Sequence, residues 1–252
     1  MIISTHGILA NSSGNSLNTG IRNVWNFDNV ATDSVGGLTA TLQNGLTYTS
    51  SGKINQALTF DGVNDYAALA NNSMNLTGDF TISMWVYYTA TGAQTLFANG
   101  VYDVGANIYK GWAIEVNNLG VNNNRVSFFI PAGTTSPLNY TVWDFRDTAL
   151  TLNAWNHILI TRVSGVNTSA WINNVSQTYN LGGGVAPANI AFDPIYHTTS
   201  KVSIGAKNFL NPGLYVKANT RIDALTVWNR QLTSTERNDL YNAGVGKQYL
   251  FV

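Results

Sequence analysis

Apolar and polar residues alternate along much of this chain with a period of two, the pattern of β-strands. In residues 79–88 (DFTISMWVYY), Phe80, Ile82, Met84, Val86 and Tyr88 fall on one face and Thr81, Ser83, Trp85 and Tyr87 on the other. Both faces are partly apolar, which predicts a central strand covered on its second side as well. The same reading predicts strands over residues 24–28, 110–116, 125–130, 155–163, 168–173 and 201–206. An Asn-rich loop (117–124) joins the third of these to the second, and a hairpin turn is expected at Ser164-Gly165.

The period changes once, in residues 221–246 (RIDALTVWNRQLTSTERNDLYNAGVG). Strict alternation would put Ile222, Ala224, Thr226 and Trp228 on one face and Asp223, Leu225 and Val227 on the other. A short helix then begins. Thr233 is a good N-cap, Glu236 completes a capping box, Leu240 and Tyr241 give an apolar side, and Gly244 is placed to end it. Two segments, 131–150 and 182–200, break the strand rhythm and are predicted to be long loops, which in compact domains tend to carry function or motion. Tyr140, Trp143 and Phe145 lie in the first; Phe192, Tyr196 and His197 lie in the second.

Composition narrows the class. The chain has 252 residues, enough for one all-β sandwich with a real core. Its 13 basic and 13 acidic residues balance, which argues against a nucleic-acid partner. It has no cysteine, so no disulfide framework, and no apolar run long enough for a membrane-spanning helix. The first residues show no basic region ahead of an apolar stretch, so no signal peptide is expected. Residues 1–20 read as an N-terminal arm, either free or docked on a neighbouring chain, with Ile2, Ile3, Ile8 and Leu9 as its apolar groups. Residues 21–252 read as one domain.

Five motifs, in order, resemble the laminin-G-like, concanavalin A-like lectin and glucanase jelly rolls. They are Trp25-x-Phe27-Asp28; the block ending Ala57-Leu58-x-Phe60-Asp61-Gly62-x-x-Asp65-Tyr66; Trp155-x-His157 with Thr161-Arg162; Ile204-Gly205; and the closing strand with Leu232-Thr233-x-x-Glu236 and Leu240-Tyr241-Asn242. Asn55 and Asn174 stand where that family favours glycine. The resemblance implies an all-β, two-sheet antiparallel jelly-roll sandwich with one short C-terminal helix. The opening residues also resemble the starts of some bacteriophage virion proteins.

That fold hosts both lectins and hydrolases. A glycosidase needs two carboxylates at a defined separation, and the family's glucanase branch places them on one strand as E-x-D-x-E. This chain has two glutamates: Glu115 stands alone on its strand, and Glu236 is explained by the capping box. No enzymatic activity is therefore expected. His157 sits at a family strand position and reads as a core histidine. The resemblance implies a calcium site, for which Asp28, Asp33, Asp61 and Asp223 are the candidates; the alternative is that these aspartates cap turns. Tyr140, Trp143, Phe145 and Tyr196 are the candidate ligand-binding aromatics. The expected function is a non-enzymatic virion surface protein, docking on virion partners or its own copies through the arm and contacting a host glycan. The alternative is a bacterial carbohydrate-binding or adhesion module, secreted or at the cell surface by a route without a signal peptide.

Overall fold

The structure is a computed structural model that describes residues 15–103, 108–117, 123–131, 140–182, 199–207 and 214–251. The described strands are β1 (Ile21–Trp25), β2 (Thr41–Gln43), β3 (Thr47–Thr49), β4 (Ala57–Thr59), β5 (Tyr66–Leu69), β6 (Phe80–Tyr88), β7 (Gln94–Asp103) and β8 (Ile108–Val116). They continue as β9 (Val126–Pro131), β10 (Tyr140–Phe145), β11 (Ala154–Val163), β12 (Asn167–Ile172), β13 (Val175–Ser176), β14 (Tyr179–Gly182), β15 (Lys201–Ile204) and β16 (Arg221–Trp228). One α-helix, α1 (Ser234–Tyr241), follows.

All described pairings are antiparallel. One sheet runs β13-β12-β11-β6-β16-β4-β3, with β1 also on β16; the other runs β14-β10-β9-β8-β7-β15-β5-β2. Their facing residues form one core that includes Trp25, Phe60, Phe80, Met84, Tyr88, Trp112, Phe128, Trp143, Ile160 and Leu225. Phe80 of β6 reaches Phe128 of β9 across this core, and Phe97 meets Trp112 edge to face within the second sheet. The fold is thus the expected all-β sandwich of jelly-roll type. Among the described residues, no helix is long and apolar enough to cross a membrane.

Local chemistry explains several elements. The hairpin turn after β12 has Asn173 at φ 49° and Asn174 at φ 64°, so two asparagines supply the left-handed pair a two-residue hairpin needs. On α1, Thr233 Oγ1 accepts the Glu236 N–H and the Glu236 carboxylate accepts the Thr233 N–H, the expected capping box. Arg230 grips that carboxylate with two N–H donors at 2.8 and 2.7 Å, and together they pull Glu236 down to about 2. The helix ends at Asn242 in the left-handed conformation, two residues before the glycine that was expected to stop it.

Three expectations are corrected. In β16, Ala224 takes φ 48° and the pairing with β6 slips between Asp223 and Thr226, a β-bulge. The extra residue reverses the alternation. Ile222, Leu225 and Val227 all enter the core, whereas strict alternation would have opposed Ile222 to the other two. Second, the predicted loop 131–150 contains β10, paired on β9 and β14. Third, residues 15–20, assigned to the arm from the sequence, pack on the domain. Ser16–Asn18 form a 3-10 turn, Leu17 is buried against Leu159, Trp228, Leu232, Leu240 and Phe251, and Trp228 Nε1 donates to the Leu17 carbonyl at 2.8 Å. Arg230 also donates to the carbonyls of Ser16 and Thr19. Ile2, Ile3, Ile8 and Leu9 lie outside the described residues.

Candidate functional site

The predicted aromatics come out differently from expectation. Trp143 and Phe145 are fully buried on β10, and Trp143 lies 6.1 Å from Phe128 and 5.6 Å from the Arg162 guanidinium. They belong to the core because a strand paired on both sides must bury one of its faces. They offer nothing to a ligand. Tyr140 opens β10, and its side chain lies outside the described set, as does Tyr196 with Phe192 and His197.

The four aspartates hold backbone. Asp33 accepts the N–H groups of Val24, Val35 and Gly36. Asp61 accepts from Val63. Asp223 Oδ2 accepts from Lys53 and Ile54, and its Oδ1 from Ala224. Asp28 accepts from Gln56 N–H and from the side chains of Asn55 and Gln248. Burial pushes Asp223 up to about 7 against its three N–H donors, and the charge of Asp28 adds to the rise. Asp28 and Asp223 therefore lie close enough for their charges to interact. Calcium needs six to eight oxygens. Here both oxygens of each carboxylate already accept N–H donors, and among the described residues no group of three His, Cys, Asp or Glu converges. The arrangement as it stands does not fit calcium.

His157 is buried, with Nε2 at 2.8 Å from Ser83 Oγ and its ring 4.9 Å from Trp85. Burial, with Lys53 nearby, pushes it down to about 3, so it stays neutral. With Ser83 equally buried, this pair packs rather than attacks.

Two rows of side chains remain. On the outer face of the second sheet, register aligns Thr95, Glu115, Ser127, Asp144 and Asn180 across five strands. Beside them runs an apolar row, Ala98, Ala113, Phe129 and Val142. Glu115 and Asp144 thus share a face two strands apart, a pairing invisible along either strand alone. Both are committed: Lys207 pairs with Glu115 at 3.0 Å, and Arg146 with Asp144 at 2.8 Å. Burial raises Asp144, opposed by Arg146 and Arg125. Thr95, Glu115, Ser127 and Asp144 are all buried, Glu115 at 1% exposure, so this stretch of the row is closed to solvent and only Asn180 at its end is exposed.

The other row is open. On the outer face of the first sheet, Trp155 pairs with Tyr87, Tyr87 with Arg221, Arg221 with Thr59, and Thr59 with Thr47. All five are at least partly exposed. The rings of Tyr87 and Trp155 meet edge to face at 5.6 Å, and the Arg221 guanidinium lies 4.5 Å over Tyr87. Four strand spacings give the row a length of roughly 19 Å. It is exposed because the C-terminal segment stops one row short. Tyr241 stacks on Trp85 at 5.8 Å and Gly246, at φ 87°, packs where any side chain would strike Trp85. Leu240 and Phe251 cover Leu159 and Trp228. Tyr87 and Trp155, two residues along their strands from Trp85 and His157, are left outside that cover. Sequence reasoning missed them because both sit in strands.

Comparison with solved structures gives the same sandwich. Domain 4 of AbnA, a GH43 extracellular arabinanase from Geobacillus stearothermophilus solved with arabinotriose, aligns at a TM-score of 0.56 and 18% identity, covering 90% of this chain and 98% of that one. The receptor-binding domain of botulinum neurotoxin D aligns at 0.61 and 13%, covering 89% and 53%. A serotype D ligand-binding domain in complex with N-acetylneuraminic acid aligns at 0.63 and 11%, covering 88% and 50%. The chain therefore spans about half the length of those toxin domains. No curated protein sequence matches it significantly. Residues 61–236 match the laminin G-type family profile described as the concanavalin A-like lectin/glucanases superfamily, and the chain belongs to that family.

Proposed function

We propose that this protein is a non-enzymatic surface protein that binds glycans through the Trp155–Tyr87–Arg221 row. The observation that carries the reading is the exposure of two adjacent aromatics on a rigid sheet, with Arg221 and the Thr59 hydroxyl beside them. Aromatic rings offer apolar area to the C–H faces of a sugar while neighbouring polar groups meet its hydroxyls. The solved complexes of similar folds with arabinotriose and N-acetylneuraminic acid support a sugar as ligand. The opening residues favour a virion, most simply a phage, as the place where that surface is displayed. A bacterial adhesion module is the alternative, and the neighbouring genes separate the two.

The absence of catalysis is part of the proposal. Glu115 and Asp144 are each held in an ion pair and buried, which leaves neither placed to act on a sugar. The test is a glycan array followed by titration calorimetry on wild type, Trp155→Ala and Tyr87→Ala, with reducing-end release measured in parallel. Binding by wild type that both variants lose, without released ends, is the expected result. Turnover abolished by Glu115→Gln or Asp144→Asn would replace this reading with a hydrolase.

A further inference from the structure

Arg221 is the member of the open row whose charge the glycan reading leaves unused. One Nη1–H reaches the Ser51 carbonyl at 3.2 Å, and the guanidinium plane rests over Tyr87. Among the described residues no carboxylate pairs with it. The guanidinium carries five N–H donors in a planar fork matched to a carboxylate, so four of them are unassigned. Its nearest acidic neighbour along the strand is Asp223, on the same face, yet that carboxyl is turned inward onto the N–H groups of Lys53, Ile54 and Ala224. The next charge in that direction is a second cation: Lys53 Nζ lies 4.3 Å over the Trp85 ring, one row away. This edge of the aromatic row therefore presents positive charge with its local acids already engaged.

Resting on the glycan reading, we infer that the row takes a carboxylated sugar, with the ring against Trp155 and the carboxylate on Arg221. The aromatics supply contact with any sugar face, and Arg221 supplies the discrimination. Tyr87 holds the guanidinium flat, which reduces the side-chain entropy lost when the fork engages. Thr59 and Thr47 continue the row beyond Arg221 and place hydroxyls where a following sugar unit would lie.

The probes are oligogalacturonate and 3′-sialyllactose, each beside the same chain with its carboxyl groups reduced to alcohols. Wild type should bind the acidic form tighter by about ten-fold or more, the worth of a charge-assisted pair, and added salt should shrink that gap. Arg221→Met keeps an apolar stem over Tyr87 and should bind both forms alike, at the affinity wild type shows for the reduced one. Arg221→Lys should keep part of the preference. Melting curves on the same samples establish that the variants are folded. Equal wild-type affinity for both forms, with binding still lost in Trp155→Ala, would overturn the carboxylate and leave the glycan reading standing. A preference that survives Arg221→Met would place the carboxylate elsewhere. Binding untouched by Trp155→Ala and Tyr87→Ala, or no binding to any chain in the panel, would remove the row and the inference together.

Discussion

Asp28 and Asp223 hold one turn between them: Asp223 takes the N–H groups of Lys53 and Ile54, and Asp28 takes that of Gln56. The two carboxyls arrive from different segments, Asp28 from the loop that follows β1 and Asp223 from β16, and the charge of Asp28 resists ionisation of its buried neighbour.

Stability should therefore depend on pH through Asp223. Its folded value of about 7 lies above the ~3.9 of an unfolded aspartate. Between those values the folded chain keeps a proton that the unfolded chain has lost. The contribution is complete below pH ~4 and disappears as pH rises through ~7, at about 1.4 kcal/mol per unit and about 4 kcal/mol at most. Urea unfolding at pH 5 and pH 8 should show wild type losing stability and Asp223→Asn losing much less. Parallel slopes for the two proteins would contradict the buried-acid account.

The same pair is where the calcium expectation can be tested. A cation here would have to compete with the three N–H donors that already hold Asp223. Millimolar calcium or EDTA should accordingly leave the melting temperature unchanged at pH 8, where Asp223 is ionised. A calcium-dependent rise, lost in the Asp28→Asn, Asp223→Asn double variant, would establish an ion at this pair by mass action.

Trp143 and Trp155 should separate packing from binding. Trp143 is fully buried, so Trp143→Ala should cost about 3–5 kcal/mol in chemical denaturation. Trp155 is partly exposed, and its alanine variant should cost well under half of that while removing glycan binding. A Trp143→Ala protein of native stability that no longer binds sugar would restore Trp143 as a ligand contact.

Two truncations should behave differently. Starting the chain at Asn15 keeps the Leu17 contacts and the Trp228 hydrogen bond; starting it at Ile21 removes both. The shorter protein should lose about 2–5 kcal/mol, the range for deleting a buried leucine side chain. Equal melting temperatures would show that Leu17 only fills a surface groove.

The strands with clean alternation and the capping box were legible because each is fixed by residues within a few positions of one another, whereas at Asn174 the sequence showed only a departure from the family's glycine. β10 was harder to see: Gly133, Pro137 and the polar residues around them masked the alternation of Thr141 to Phe145. The open row was illegible for a different reason. Whether Tyr87 and Trp155 meet solvent depends on where the segment around Leu240, Tyr241 and Phe251, far along the chain from both, stops covering the sheet. Likewise Glu115 and Asp144 align only through the register of β8, β9 and β10.

The bulge at Ala224 works as a half-period phase step within a single strand. Before it, odd-numbered positions face outward and place Arg221 and Asp223 on the sheet's outer surface; after it, odd-numbered positions face inward and deliver Leu225 and Val227 to the core. The outer row and the core therefore have independent reading frames joined at one residue. Substitutions at position 224 are local matters, and glycine would even relieve its left-handed backbone. Removing the residue is not local. It would merge the two frames and force the strand to choose between turning Arg221 with Asp223 into the core and turning Leu225 with Val227 out of it.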